Sequence, residues 1–200
     1  MVKAHKMIDE KEFIAIRKDL EDFEEKREDL IRKSRDIITQ SKEIIYALQR
    51  GDHAKATSLL PAITKAVHSL PDKSYDTGMA DVAVQEYVEA AMFYEVVVEK
   101  HLPTRKDLGV DTNVYLMGLC DLTGEVLRRA IKAVIEKDYS LFKELKALVD
   151  EIWGQVLLLE LRNSELRKKS DQVKYAVKRF EEVEYDLHMK GMIKEFSQAT

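Results

Sequence analysis

Glu86 and Glu89 lie three residues apart in the stretch Asp81-Val-Ala-Val-Gln-Glu86-Tyr-Val-Glu89-Ala-Ala-Met-Phe93. At helical spacing they join Val82, Phe93 and Val96 in one row, so two acids face the same way inside an otherwise apolar stripe. Like charges one turn apart repel. Burying them costs several kcal/mol per ion unless something compensates. A hard divalent cation, Mg²⁺ or Mn²⁺, would do so through oxygen ligands. Arginines on neighbouring helices would do so as well, and spacing alone leaves both readings open.

A second pair follows in Tyr115-Leu-Met-Gly118-Leu-Cys-Asp121-Leu-Thr-Gly124-Glu125. Asp121 and Glu125 are four apart and share a helix face, where Glu125 could equally pair with Arg128 or Arg129. Gly118 lies one turn before Asp121 and Gly124 lies beside Glu125, and each costs a mid-helix position up to about 1 kcal/mol against alanine. Close approach of another backbone is the usual reason. The loop between the two segments is short, so antiparallel pairing would gather all four carboxylates. Such a cluster could hold one or two Mg²⁺ and activate a water against a phosphodiester. A di-iron bundle would want Glu-x-x-His pairs, and none of the five histidines lies three residues after a glutamate.

The stretch from Arg162 to Arg179 carries seven cations, Arg162, Arg167, Lys168, Lys169, Lys174, Lys178 and Arg179, against two acids. The net charge of the whole chain is −4. A local basic run on an acidic chain is either a phosphate-binding face or a solvated helix surface. Arg27 and Arg35 add to it from the first helix. No zinc spacing, P-loop or dinucleotide fingerprint is present.

These residues must be positioned by helices. Of the 200 residues 45% are hydrophobic and 35% charged, with only seven Gly and three Pro, a composition that favours long helices. The first helix is expected from Asp9 to Arg50. Ile16, Phe23, Leu30, Ile37 and Ile44 alternate there with Phe13, Leu20, Arg27, Ser34, Ser41 and Leu48 at three-four spacing. The serines would let another helix approach closely. Gly51-Asp52 ends this helix. A second spans His53 to Leu70, with Pro61 expected to split it. A third runs from Thr77, which can cap it, to His101 before Pro103. A fourth runs from the caps Asp111 to Asn113 to Lys137. A fifth, capped by Asp138 or Ser140, reaches Leu161, and a sixth, capped by Asn163 or Ser164, ends near Gly191.

No segment alternates as a strand does. The expectation is an all-α antiparallel bundle of six to seven helices in one domain over residues 1–200. A first helix roughly 60 Å long exceeds the width of so small a body. Part of it must project or be covered by another subunit, which predicts a homo-oligomer. Cys120 reads as core packing. The charged start Met1 to Glu12 lacks a signal-peptide pattern and no run is long enough to span a membrane, so a soluble, cytoplasmic protein is expected.

The chain resembles the family of translin and translin-associated factor X (Trax) over nearly its whole length. Leu30-Ile-Arg-Lys-Ser34-Arg35-Asp36 looks like the Trax first helix. Gln85-Glu86-Tyr87-Val88-Glu89-Ala90 and Tyr115 to Glu125 look like the Trax glutamate and aspartate motifs. Leu161 to Lys169 and Glu181 to Gly191 look more like translin. The mixture suggests an archaeal-type Trax-like homologue that assembles with itself.

The resemblance implies a seven-helix subunit in a hollow octamer with inward-facing sites, and a Mg²⁺-dependent endoribonuclease. Glu86, Glu89 and Asp121 would be its catalytic metal ligands, with Glu125 as the fourth. RNA, single-stranded or in short or nicked duplexes, would be guided by Arg27, Arg35, Arg128, Arg129, Arg167, Lys168, Lys174 and Lys178. The rival readings are a translin-type protein that binds RNA or single-stranded DNA without cutting, and a helical scaffold without a nucleic-acid role.

Overall fold

The computed structural model describes residues 8–162 and 164–193. The opening stretch Met1 to Glu12 thus falls partly outside the described residues, and Asn163 lies outside them altogether. The predicted Ser164 cap likewise rests on a side chain outside the described set.

Helix α1 spans Glu10–Gln49 and is capped by Asp9, whose carboxylate accepts from the Lys11 amide at 2.9 Å. From Leu30 onward its three-four row is buried: Leu30, Ser34, Ile37, Ser41, Ile44 and Leu48. The buried serines fit the expected close helix contact. Ser41 donates back to the Ile37 carbonyl at 2.9 Å, whereas the buried Ser34 hydroxyl has no hydrogen-bond partner among the described residues. Before Leu30 the same row emerges into solvent, with Phe13 at 51% and Leu20 at 62% exposure. This stretch is the projection that the helix length requires.

Gly51 takes the left-handed conformation (φ +79°) that ends α1, and the Asp52 amide reaches back to the Ala47 carbonyl at 2.9 Å. Asp52 then caps α2, His53–His68, by accepting from the Lys55 amide at 3.1 Å. Pro61 does not split this helix, contrary to expectation. Ala56 lies before the proline and Ile63 and Val67 after it, all buried. Their common anchorage outweighs the hydrogen bond that Pro61 removes.

Helix α3 spans Met79–Tyr94 and continues as a π-helical turn, Glu95–Glu99. It starts two residues later than expected. Gly78 is at the cap position, and Thr77 accepts from the Met79 amide at 3.3 Å. Lys100 closes the turn in the left-handed region at φ +62°. Helix α4, Thr112–Ile135, is capped by Asp111, which accepts from the Asn113 and Val114 amides at 2.7 and 3.0 Å. Asp138 caps α5, Tyr139–Leu157, leaving Ser140 inside the helix. Helix α6 spans Ser164–Met189.

The fold is therefore all-α, with six α-helices among the described residues rather than seven. None of them is long and apolar enough to cross a membrane. α1 packs on α2 and α3, α3 on α4, and α4 on both α5 and α6. Phe93, Phe142 and Phe180 are wholly buried, the last two with ring centroids 5.6 Å apart. Helices α3 and α4 thus lie between α1 on one flank and α6 on the other.

Candidate active site

Gly118 sets how closely the two acid-bearing helices meet. A Cβ built there would fall 2.5 Å from Val88 Cγ1 and 3.2 Å from the Glu89 backbone nitrogen. Only glycine fits such an approach. Gly124 differs: nothing lies within 4 Å of where its Cβ would be, so close approach does not explain it. Gly118 meets Val88 and Glu89, while Asp121, one turn later, meets Gln85, one turn earlier. The helices are antiparallel, and their register brings Glu86, Glu89, Asp121 and Glu125 together.

Each carboxylate has a different environment. Gln85 Nε2 donates to Asp121 Oδ2 at 2.6 Å, and the Lys169 ammonium of α6 lies against both Asp121 oxygens. Glu125 accepts from Gln49 Nε2 at 2.8 Å and has Arg128 at 3.6 Å. Among the described residues Glu86 has only Lys42, at 3.8 Å. No donor or cation among the described residues lies within bonding distance of the Glu89 carboxylate. Burial pushes the Glu89 carboxyl up to about 8, and the neighbouring charges of Asp121, Glu125 and Glu86 add to the rise.

Glu86, Glu89 and Glu125 open into a cleft of about 700 Å³ that Lys42, Lys55 and Arg128 also line. Among the described residues no three of these acids converge as a closed ligand set; Lys169 and Gln85 engage Asp121, and Gln49 engages Glu125. In chemistry the donors suit a hard divalent cation: four carboxylates from adjacent turns of two helices, all oxygen ligands. Cys120, beside Asp121, is buried and its thiol is pushed up to about 12, chiefly by burial, which suits core packing rather than nucleophilic work.

The end of α1 braces the cluster. It has no basic residue in its own last turn. Arg129 and Lys132 of α4 instead donate to its terminal carbonyls at Leu48 and Gln49, at 2.9 and 2.8 Å. Arg129, a sequence candidate for RNA contact, is engaged in joining α4 to α1. Arg128 is exposed at the cleft. The other basic candidates are dispersed. Arg27 pairs with Glu24 and Glu28 on its own helix, and Arg35 is exposed. Lys168 pairs with Glu165 and Lys178 with Glu182, while Arg167 and Lys174 are exposed on α6.

Sequence reasoning did not single out Lys169, Gln85 or Gln49. The signal for Lys169 was present: it shares a three-four row with Leu166, Val173, Ala176 and Phe180, all buried. A lysine inside a buried row needs an acid to meet it.

The profile of the translin family matches residues 25–191. The chain belongs to the translin family. Among its relatives within that family, translin of Gallus gallus is 40% identical over 86 residues, 43% of this chain and 38% of that protein. The matched stretch therefore spans well under half of that translin. The crystal structure of apo-NeC3PO superposes with a TM-score of 0.80 at 29% identity, covering 85% of this chain and 94% of that one. The structure of an AfC3PO–duplex RNA complex superposes at 0.74 with 24% identity, covering 92% of this chain and 100% of that one, and speaks for the shared fold.

Proposed function

We propose that this translin-family chain is a Mg²⁺-dependent endoribonuclease, with Mn²⁺ as a substitute ion, acting within a homo-oligomeric shell. The observation that carries this reading is Glu89: a half-buried carboxyl with no donor among the described residues, beside three further carboxylates and open to a cleft rimmed by cations. A purely structural acid would be paired or absent. Glu86, Glu89 and Asp121 would hold the ion, which when bound supplies Lewis acidity toward a phosphate oxygen and lowers the pKa of a water. Glu125, held by Gln49, would orient that water and accept its proton. Arg128 and Lys42 at the cleft would hold the RNA backbone, and the dispersed cations of α1 and α6, Arg27, Arg35, Arg167, Lys168, Lys174 and Lys178, would guide it there. That AfC3PO forms a complex with duplex RNA supports short duplexes as well as single strands as ligands. An octameric shell is part of the same proposal.

The test is cleavage of a labelled short RNA, with and without Mg²⁺, by wild type and by the Glu86→Ala/Glu89→Ala double variant at matched assembly size. Mg²⁺-dependent cutting that disappears in the variant while RNA binding survives is the expected result. A non-catalytic RNA or single-stranded DNA binder is the second reading. It is favoured by the saturation of Asp121 by Lys169 and Gln85. Salt-dependent binding by both proteins with cutting by neither would select it.

A further inference from the structure

Lys169 is the least expected member of the cluster. It reaches Asp121 from α6, across a helix interface, and its side chain is only 22% exposed. Its ammonium contacts both carboxylate oxygens, and Gln85 occupies one of them as well. The other nearby cations differ. Lys42 and Arg128 are 64% and 60% exposed and rest at 3.8 and 3.6 Å from Glu86 and Glu125, free to swing into solvent. Neither blocks the oxygens it faces.

We propose that Lys169 is a tethered counter-cation of the carboxylate cluster, and that a divalent ion and the Lys169 ammonium occupy Asp121 in alternation. This rests on the metal-site reading above. The argument is one of space and charge. An ion ligated by Asp121 must enter where the ammonium lies against both oxygens and Gln85 already fills a second lone pair of Oδ2, and two cations crowded onto one carboxylate repel each other. Among the described residues Lys169 is the one cation held in close contact with an acid of the cluster, Lys42 and Arg128 resting further off, and a doubly charged ion at Asp121 would replace its single charge with a better match. Lysine suits the exchange because its ammonium sits on a flexible four-carbon stem with no fixed bidentate geometry. Once displaced, the ammonium is released from its ion pair as the ion arrives. Lys169 is thus a positioning residue for the site rather than a ligand.

The test uses the native full-length chain without RNA. Lysines are acetylated with a limiting reagent, with and without saturating Mn²⁺, and each site is quantified by peptide mass spectrometry. Neighbouring Lys168, 72% exposed, is the internal reference. Labelling of Lys169 is expected to rise severalfold with Mn²⁺ while that of Lys168 stays constant. In parallel, Mn²⁺ binding is titrated by electron paramagnetic resonance. Lys169→Met, or Lys169→Gln should the former not fold, is expected to bind the ion about tenfold more tightly, and Asp121→Asn to lose it. Unchanged Lys169 labelling on Mn²⁺ binding overturns the exchange whatever the affinities of the variants, since removing a nearby charge would alone tighten binding. If Mn²⁺ binds wild type and Asp121→Asn abolishes it, the metal-site reading survives that result. If wild type binds no Mn²⁺, both fall.

Discussion

Glu89 has the most perturbed environment in the site, and its perturbation has a sign. Its carboxyl is raised from 4.5 to about 8 in the folded chain, by burial first and then by its acidic neighbours. The folded state therefore keeps a proton that the unfolded state gives up, and this group's contribution to stability falls as pH rises from about 4.5 to 8. Without divalent ions, wild type should lose melting temperature across that window more steeply than Glu89→Gln, which has nothing to ionise there. Parallel curves in chelator would contradict this assignment. In the cleavage assay Glu89→Gln should lose at least about a hundredfold in rate, the scale of losing a principal catalytic interaction. The four carboxylates were legible in the sequence because their spacing repeats the helix turn. Lys169 was not, because a lysine among six other cations reads as solvent-facing until the buried row it interrupts is seen.

The elements were legible where side chain and backbone interact locally. Asp111 and Asp138 accept amides at the start of their helices, as their type and place predict, and Asp9 and Asp52 do the same where the sequence marked only a helix start and a helix end. Pro61 misled because its cost is local while the anchorage that offsets it is tertiary. The two glycines of α4 make a matched pair for experiment. Gly118→Ala must push α3 from α4 and should cost about 1–3 kcal/mol in urea unfolding, with loss of cleavage. Gly124→Ala meets open space and should add up to about 1 kcal/mol through helix propensity. Ser34 and Ser41 form a second pair. Ser34→Ala should be neutral or stabilising, because the hydroxyl it removes is buried and unpartnered. Ser41→Ala loses a hydrogen bond to Ile37 and should be the more damaging of the two in the same measurement.

For the whole molecule, the pattern of α1 conflicts with its surroundings. The three-four row is continuous in sequence, yet among the described residues it is buried only from Leu30 onward, with Phe23 meeting the Tyr75 ring at 5.5 Å between centroids before it. The exposed Phe13, Ile16 and Leu20 extend the same seam into solvent, and the proposed self-assembly would cover them. Replacing Ile16 and Leu20 together with Glu should lower the particle mass measured by sedimentation equilibrium while leaving the far-ultraviolet spectrum of the assembled fraction unchanged. An unaltered mass would place the subunit contacts elsewhere. The length of α1 could be read from its periodicity. What covers it could not, because a seam looks the same whether its partner lies in the same chain or in another.

Residues 10–29 of α1 also have a kinetic signature. They form roughly 30 Å of helix whose C-terminal continuation is fixed in the core. Its nucleation cost is already met by Leu30 and the turns beyond. Such a rod unwinds from its tip rather than melting as a unit. In dilute solution its amide protons should exchange with deuterium in a gradient, fastest near Glu10 and slowest near Asp29. At high protein concentration, with the tip covered by another copy, that gradient should flatten. The ordering of one helix end would then report how many subunits have gathered.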